Sequence, residues 1–212
     1  FGMFAAPFLA LFEPRLVPSV VLMLGACVSS LIVIREFRHV DLSGLGWALG
    51  GRTGGAIVAG ATIAIIPETL FTILFAGMIL VAVGLSISGW RLVPTRPNLL
   101  GAGLISGYMG TISSIGAPPM ALVYQHRPGP TIRATMGAFL MFGAAASLIA
   151  LAVVGRFGGV ELGMSLLLLP PLLIGFWLSR FLLGMVDRGR ARNLVLAVTA
   201  FAAVILLVRA LR

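Results

Sequence analysis

Apolar segments separated by short polar joints follow one another along the whole chain. Most of them hold about the 20 apolar residues that a helix needs to cross a bilayer. The joints carry charges, prolines and glycines, as in the charged joint 35–41 and in Pro128-Gly129-Pro130, and such residues end helices. The pattern therefore predicts an all-α polytopic membrane protein. The predicted apolar segments lie at about 1–12, 16–34, 44–66, 69–89, 99–125, 131–154, 160–179 and 192–210.

Segment 99–125 is interrupted at a depth where a membrane helix should continue. The stretch from Gly107 to Pro119 contains three glycines, two prolines and several small hydroxyl residues. Backbone N–H and C=O groups that leave helical geometry inside a bilayer must be satisfied by protein or by a watery cavity. Because broken membrane helices are typical of transport sites, the interruption predicts such a site here.

Composition supports the membrane assignment. The chain is 59% hydrophobic and 10% charged, whereas a soluble domain carries about 25% charged residues. Every basic residue is an arginine, and the formal net charge is +9. The arginines are scattered among the joints without a basic run or stacking aromatics. We therefore expect the lipid bilayer and a small anionic substrate as partners, and no nucleic acid.

Metal, nucleotide and hydrolytic chemistry have no support in the sequence. The single Cys27 lies in an apolar segment and no metal-ligand or phosphate-loop pattern occurs, so we expect no cofactor. The two histidines, His39 and His126, lie in joints, so a serine nucleophile would lack a buried base. We predict that the protein is not an enzyme, with an intramembrane hydrolase as the least favoured alternative.

A weak internal repeat divides the chain into two halves. The segment Ala6-Pro7-Phe8-Leu9-Ala10-Leu11 matches Ala117-Pro118-Pro119-Met120-Ala121-Leu122, and three long apolar segments follow each copy. We predict a first repeat at 1–90 and a second repeat at 91–212. Segment 1–12 is too short to span a bilayer. We therefore expect the first repeat to be truncated at its N-terminus and to keep half of its re-entrant segment.

The arginines also predict how segment 99–125 enters the membrane, since cytoplasmic joints carry an excess of basic residues. If the segment crosses once, seven arginines lie on each side. If it turns near 113–116 and leaves on the side where it entered, ten arginines face four. We predict this re-entrant hairpin, with the ten-arginine side cytoplasmic; insertion in both orientations would also explain equal counts. Three spans in each half is an odd number, which predicts an inverted repeat.

At these residues the chain resembles the sulfite exporter TauE/SafE family of membrane permeases. The resemblance covers nearly the whole chain and is carried by Gly107-x-x-Gly110, Gly116-Ala117-Pro118-Pro119, Arg133-Ala134-Thr135, the Pro67 turn and the glycine pairs 50–51 and 54–55. It implies a multi-pass secondary transporter of the inner (cytoplasmic) membrane. The implied substrate is a small sulfur-containing or organic anion, such as sulfite, sulfoacetate or a related sulfonate, moved by alternating access. An anion channel is the alternative.

The break in segment 99–125 contains the predicted anion site. Half-helices that meet at a break present free N–H groups and the positive end of a helix dipole. Gly116 lets the backbone approach a ligand, and three side chains there offer hydroxyl donors: Thr111, Ser113 and Ser114. By the repeat, Pro7 marks a facing tip in the first half.

Arg52 is the one arginine well inside an apolar segment. Either it is the counter-charge for the anion, or it snorkels to the surface from its position about two turns after the helix start. Four further candidates for substrate contact are equally explained by interface or packing roles: Tyr108, Tyr124, Gln125 and Arg133. No carboxylate lies mid-span, so a co-transported proton would ride on the substrate or on a peripheral group such as Glu13 or His126.

Overall fold

The structure is a computed structural model that describes residues 2, 5–6, 9, 16–90, 92–182 and 188–210. All the secondary structure in these ranges is helical, as predicted, and a short 3-10 turn at Phe37–His39 follows the first helix. The helices are α1 (Ser19–Glu36), α2 (Leu45–Ile65), α3 (Glu68–Ile87), α4 (Arg96–Ser113), α5 (Ala117–Tyr124), α6 (Gly129–Val153), α7 (Gly159–Leu182) and α8 (Arg188–Ala210).

Five of these helices, α1 to α3, α6 and α7, are long and apolar enough to cross a membrane. Helix α8 contains a shorter apolar stretch at Val195–Val208. Large apolar side chains cover the outside of the bundle; Ile65 and Val153, for example, are 83% and 81% exposed. In water such a surface would be an aggregation liability, whereas lipid tails solvate it. The chain is therefore a multi-pass membrane protein.

Helices α4 and α5 form the predicted re-entrant hairpin. The N–H of Leu92, before α4, donates to the carbonyl of Leu122 in α5 at 3.4 Å. The side-chain amide of Gln125, after α5, donates to the carbonyl of Trp90 at 2.8 Å. The two ends of the hairpin therefore lie side by side, and the chain leaves the bundle on the face where it entered.

The turn of the hairpin follows from a left-handed residue and two prolines. Ser114 follows the last residue of α4 and has a φ of 62°. Its N–H donates to the carbonyl of Gly110, and this left-handed residue ends the helix. Helix α5 then begins with Ala117, Pro118 and Pro119. Proline fits the first turn of a helix but would remove hydrogen bonds and clash with carbonyls in a helix that continued from α4. The local sequence therefore dictates a break at 114–116.

Helices α2 and α4 pack with their backbones in contact through four glycines. A Cβ placed on Gly51 or Gly55 of α2 would lie within 3.0 Å of the backbone of α4. A Cβ on Gly103 or Gly107 of α4 would meet the backbone of α2 equally closely. Small residues four apart on both partners allow this approach, which larger side chains would prevent.

The helices that the repeat equates, α1 and α6, pack against each other and run in opposite directions. At one end, Arg133 lies near the start of α6 and Glu36 is the last residue of α1. Nε of Arg133 donates to the Glu36 carboxylate at 2.9 Å. At the other end, the hydroxyl of Ser19 at the start of α1 donates to the carbonyl of Arg156, just after α6, at 2.6 Å. Opposite directions are consistent with an inverted repeat, whose boundaries at 90 and 91 stay a prediction.

Substituting Gly55→Ala should destabilise the protein by about 1–3 kcal/mol, because the added methyl group overpacks the contact between α2 and α4. Gly54→Ala is the matched control, since nothing lies within 4 Å of its Cβ position and alanine favours a helix. Thermal unfolding in detergent measures both. Equal midpoints for the two variants would contradict the close contact.

The hairpin predicts that single cysteines at positions 96 and 127 react with a membrane-impermeant thiol reagent from the same side of the membrane. Both positions are exposed at the face where the hairpin begins and ends. A cysteine at position 69, at the start of α3 on the opposite face, should react from the other side. The labelling uses a Cys27→Ala background. Reactivity of positions 96 and 127 from opposite sides would exclude the hairpin.

Candidate functional site

The guanidinium of Arg52 lies at the centre of the bundle. Its residue is 1% exposed, so the side chain turns inward and does not snorkel to the surface. Nη1 donates to the hydroxyl of Ser106 at 2.7 Å and also to the carbonyl of Ser106. The glycine contact between α2 and α4 brings the two residues together, because Gly103 and Gly107 of α4 lie against the backbone of Arg52.

Three glycines leave room for this guanidinium, and one aromatic ring packs against it. Gly110 of α4, Gly116 at the break and Gly143 of α6 all lie so close that an added Cβ would overlap the guanidinium. The guanidinium carbon also lies 5.4 Å from the ring centre of Phe139 on α6. Such a position over an aromatic face stabilises a cation by about 2 kcal/mol where water is excluded.

Ser106 connects Arg52 to the break in the hairpin. Its hydroxyl donates to the carbonyl of Gly116, one of the backbone groups that the interrupted helix leaves unpaired. The same hydroxyl accepts from Arg52. One buried serine therefore satisfies the break and orients the cation beside it.

The charge of Arg52 has no carboxylate partner among the residues that the structure describes. The ion pairs of these residues join Arg35 and Arg133 to Glu36, and Arg127 to Asp41, at the bundle surface. Within the same ranges, Nε of Arg52 also has no hydrogen-bond partner. An arginine in mid-span costs about 2.5–3.5 kcal/mol even on insertion scales, and it is ordinarily paired or faces a cavity.

Arg52 faces a cavity of about 410 Å³. Its walls are mainly apolar and come from α1, α6, α8 and the tip of the hairpin. Of the predicted site residues, the structure brings Arg52, Ser114 and Gly116 together in this lining. The lining residues of the tip are Ser114, Ile115, Gly116 and Ala117.

The N-terminal piece of the chain meets the tip of the hairpin. Gly2 lines the same cavity, and a Cβ on Gly2 would lie 2.7 Å from the carbonyl oxygen of Ser114. The repeat predicts the tip of the first half at this place. Pro7, the predicted marker of that tip, lies outside the described residues.

The hydroxyl groups predicted as donors are engaged by protein. Ser113 donates to the carbonyl of Met109 at 2.7 Å, and Thr111 donates to that of Gly107 at 2.9 Å. Neither residue belongs to the cavity lining. Ser114, which does line the cavity, donates to the carbonyl of Pro18 at 3.0 Å. These side chains hold the tip in place, and their hydrogens do not point to a ligand.

The prolines at the start of α5 also limit the backbone donors. A helix leaves about four N–H groups unpaired at its start, here at positions 116–119. Two of these positions are Pro118 and Pro119, which have no N–H. Gly116 and Ala117 therefore carry the N–H groups that remain at the start of this half-helix, and both residues line the cavity.

The four remaining predicted contacts lie outside the lining of the cavity. Tyr108 is half-buried against the main apolar core, and the ring of Tyr124 packs in a second apolar cluster with Leu99 and Val123. The hydroxyl of Tyr124 has no partner among the described residues. Gln125 and Arg133 bind Trp90 and Glu36, as described above, at the base of the hairpin.

Sequence reasoning did not select Ser106, Phe139 or Gly143 for this site. Ser106 carried a signal, because it lies on a stripe of small residues with Gly103, Gly107 and Gly110 at helical spacing. Phe139 and Gly143 are four residues apart on one face of α6, which is ordinary for a membrane helix. Their role follows from packing against Arg52.

A family model described as sulfite exporter TauE/SafE matches residues 1–206 of the chain. No curated protein and no solved structure matches it.

Substituting Ser106→Ala should lower stability by about 1–3 kcal/mol, because the buried carbonyl of Gly116 loses its donor and Arg52 loses an acceptor. Ser30→Ala is the matched control, since the Ser30 hydroxyl only donates back to Ala26 in its own helix. Thermal unfolding in detergent compares the two. Equal unfolding midpoints for the two variants would contradict a stabilising role of the Ser106 hydrogen bonds.

Proposed function

The chain belongs to the sulfite exporter TauE/SafE family, and on that premise we propose that it is a secondary transporter of small sulfur-containing or organic anions. Sulfite, sulfoacetate and related sulfonates are the proposed substrates, and the inner (cytoplasmic) membrane is the proposed location. The proposal rests on one observation. Arg52 is a buried cation that pairs with no carboxylate among the residues that the structure describes, and it faces a cavity at a broken helix.

An anion in this cavity would neutralise Arg52. Because Nη1 of Arg52 donates to Ser106, an oxyanion would accept two parallel N–H bonds from Nε and Nη2, and a guanidinium loses less hydration than an ammonium would. The N–H groups of Gly116 and Ala117, at the positive end of α5, would add donors to one of the oxygens that Arg52 binds. The low dielectric around the site strengthens both interactions, because little water competes for the anion.

The size and walls of the cavity favour an anion that carries a short apolar body. A volume of about 410 Å³ lies near the lower end of the range of about 300–1,000 Å³ for small-molecule sites. Val21, Leu22, Ile115 and Leu140 are among its apolar walls. An organic sulfonate would place its head at Arg52 and its carbon atoms against these side chains, gaining roughly 25 cal/mol for each Å² of apolar surface buried.

Contacts between the two halves at the arginine-rich face suit a gate for alternating access. Glu36 pairs with Arg133, Asp41 pairs with Arg127 at 3.6 Å, and the N–H of Asp41 donates to Thr135 at 2.9 Å. Access from this face would require these contacts to break. Because surface ion pairs contribute about 0–1 kcal/mol each, they can close the face without locking it.

Uptake into liposomes by the purified protein tests the proposal. Labelled sulfite, sulfoacetate, taurine and lactate are each offered with and without a pH gradient. We expect saturable uptake of at least one anion and faster uptake when the same anion is present on the trans side. Uptake without trans-acceleration would identify a channel, and no uptake above empty liposomes would overturn the proposal.

Substituting Arg52→Gln should reduce anion affinity at least 30-fold, about 2 kcal/mol, because the counter-charge is lost while a donor to Ser106 remains. The variant should unfold at the same temperature as the parent, or higher, without substrate, since an unpaired buried charge is removed. Arg96→Gln is the control, because Arg96 is exposed and contacts Trp47 at the surface. Equal transport by both variants would assign Arg52 a structural role only.

A further inference from the structure

One wall of the cavity is a single face of α1. Its residues recur at helical spacing over about three turns: Val21, Leu22, Gly25, Val28, Ser29 and Ile32. Ser29 is the one residue with a polar side chain on this wall. The faces of α1 differ little in polarity, so the sequence did not single out Ser29.

Ser29 is a buried residue of the cavity lining. The residue is 8% exposed, and its hydroxyl makes no hydrogen bond with any described residue. Other hydroxyl residues of the spanning helices bond back to the preceding turn; Ser30 donates to Ala26 at 2.8 Å and Thr53 donates to Leu49 at 2.9 Å. The natural partner of the Ser29 hydroxyl is therefore whatever occupies the cavity.

Ser29 and Arg52 line the same cavity and are equally far along their helices from the arginine-rich face. Ser29 comes seven residues before the end of α1, and Arg52 comes seven residues after the start of α2. The short connection between the two helices places both of these ends at the arginine-rich face. Seven residues of helix correspond to about 10 Å, so each residue lies about two turns from that face, and the two residues line the cavity from different helices.

We propose that Ser29 is a substrate-binding residue that favours sulfonate over carboxylate head groups, an inference that rests on the proposed transport function. A sulfonate head has three oxygens, of which Arg52 binds two and Ser29 binds the third. A carboxylate has two oxygens, both of which Arg52 engages. The hydroxyl of Ser29 therefore adds a hydrogen bond to a charged acceptor for one class of anion and adds little for the other.

The test compares Ser29→Ala with Ser30→Ala, which removes a neighbouring hydroxyl that bonds within its own helix. Ethanesulfonate and propionate, which differ in the head group and share a two-carbon body, compete with labelled sulfite for transport. We expect Ser29→Ala to weaken ethanesulfonate about tenfold and propionate less than twofold, with an unchanged maximal rate. Ser30→Ala should leave both affinities at the parent values, and Ser29→Thr should restore the preference.

The outcomes separate this inference from the proposed function. If the parent protein transports sulfite and Ser29→Ala keeps the parent ratio of the two affinities, the role of Ser29 is wrong and the transport function stands. If the parent transports no anion, both are overturned. A loss of both affinities together would also contradict the inference, because a disturbed fold would not discriminate between head groups.

Cysteine protection supplies a second measurement that does not require a working Ser29→Ala variant. In a Cys27→Ala background, Ser29→Cys should react with a small anionic thiosulfonate reagent, and ethanesulfonate should slow that reaction at least fivefold. Ser30→Cys, outside the cavity lining, should show no protection. Protection of neither position by ethanesulfonate, in a parent that transports it, would place the anion elsewhere.

Discussion

The backbone contact between α2 and α4 is the constraint on which the site depends. Four glycines, at positions 51, 55, 103 and 107, let the two helices touch without intervening side chains. Only at that separation does the side chain of Arg52 reach both atoms of Ser106 that it binds. In the predicted repeat α2 lies in the first half and α4 in the second, so the same contact would join the halves beside the cavity that Arg52 faces. The glycines therefore specify a position for a charge as well as a packing distance.

A buried cation needs space and favourable electrostatic contacts from the helices around it. Gly110, Gly116 and Gly143 leave the volume that the guanidinium fills, and Phe139 presents an aromatic face to it. These groups accommodate the Arg52 side chain and partly stabilise its charge. Among the described residues, no carboxylate pairs with that charge. In the proposed function, a substrate anion would recover the cost that remains. A site that is incomplete without its ligand gives a transporter a reason to change conformation when the ligand arrives, since a ligand shifts an equilibrium only through its differential affinity for the two states.

The break in the hairpin serves a different purpose from the one suggested by its hydroxyl residues alone. Ser113 and Thr111 bond to carbonyls of their own helix, and Ser114 ties the tip to the chain before α1. Pro118 and Pro119 start the second half-helix but contribute no N–H. The tip is therefore a wall of the cavity held by hydrogen bonds to protein, and the positive charge comes from α2. This arrangement suits the proposed alternating access, because movement of one predicted half against the other would change the distance between the charge and the donors.

The sequence by itself determined the spanning helices, the break and the direction in which the hairpin returns. Apolar runs of spanning length, Pro118 and Pro119, and the arginine excess on one face are local or additive properties, so they can be read along the chain. Only the tertiary structure decided that Arg52 turns inward, because snorkelling and burial start from the same position in α2 and differ in what α4 and α6 present to it. That Ser29 lines the cavity and Ser113 does not was likewise beyond the sequence. A helical period shows which residues share a face, whereas the neighbour that each face meets depends on contacts between segments far apart in the chain.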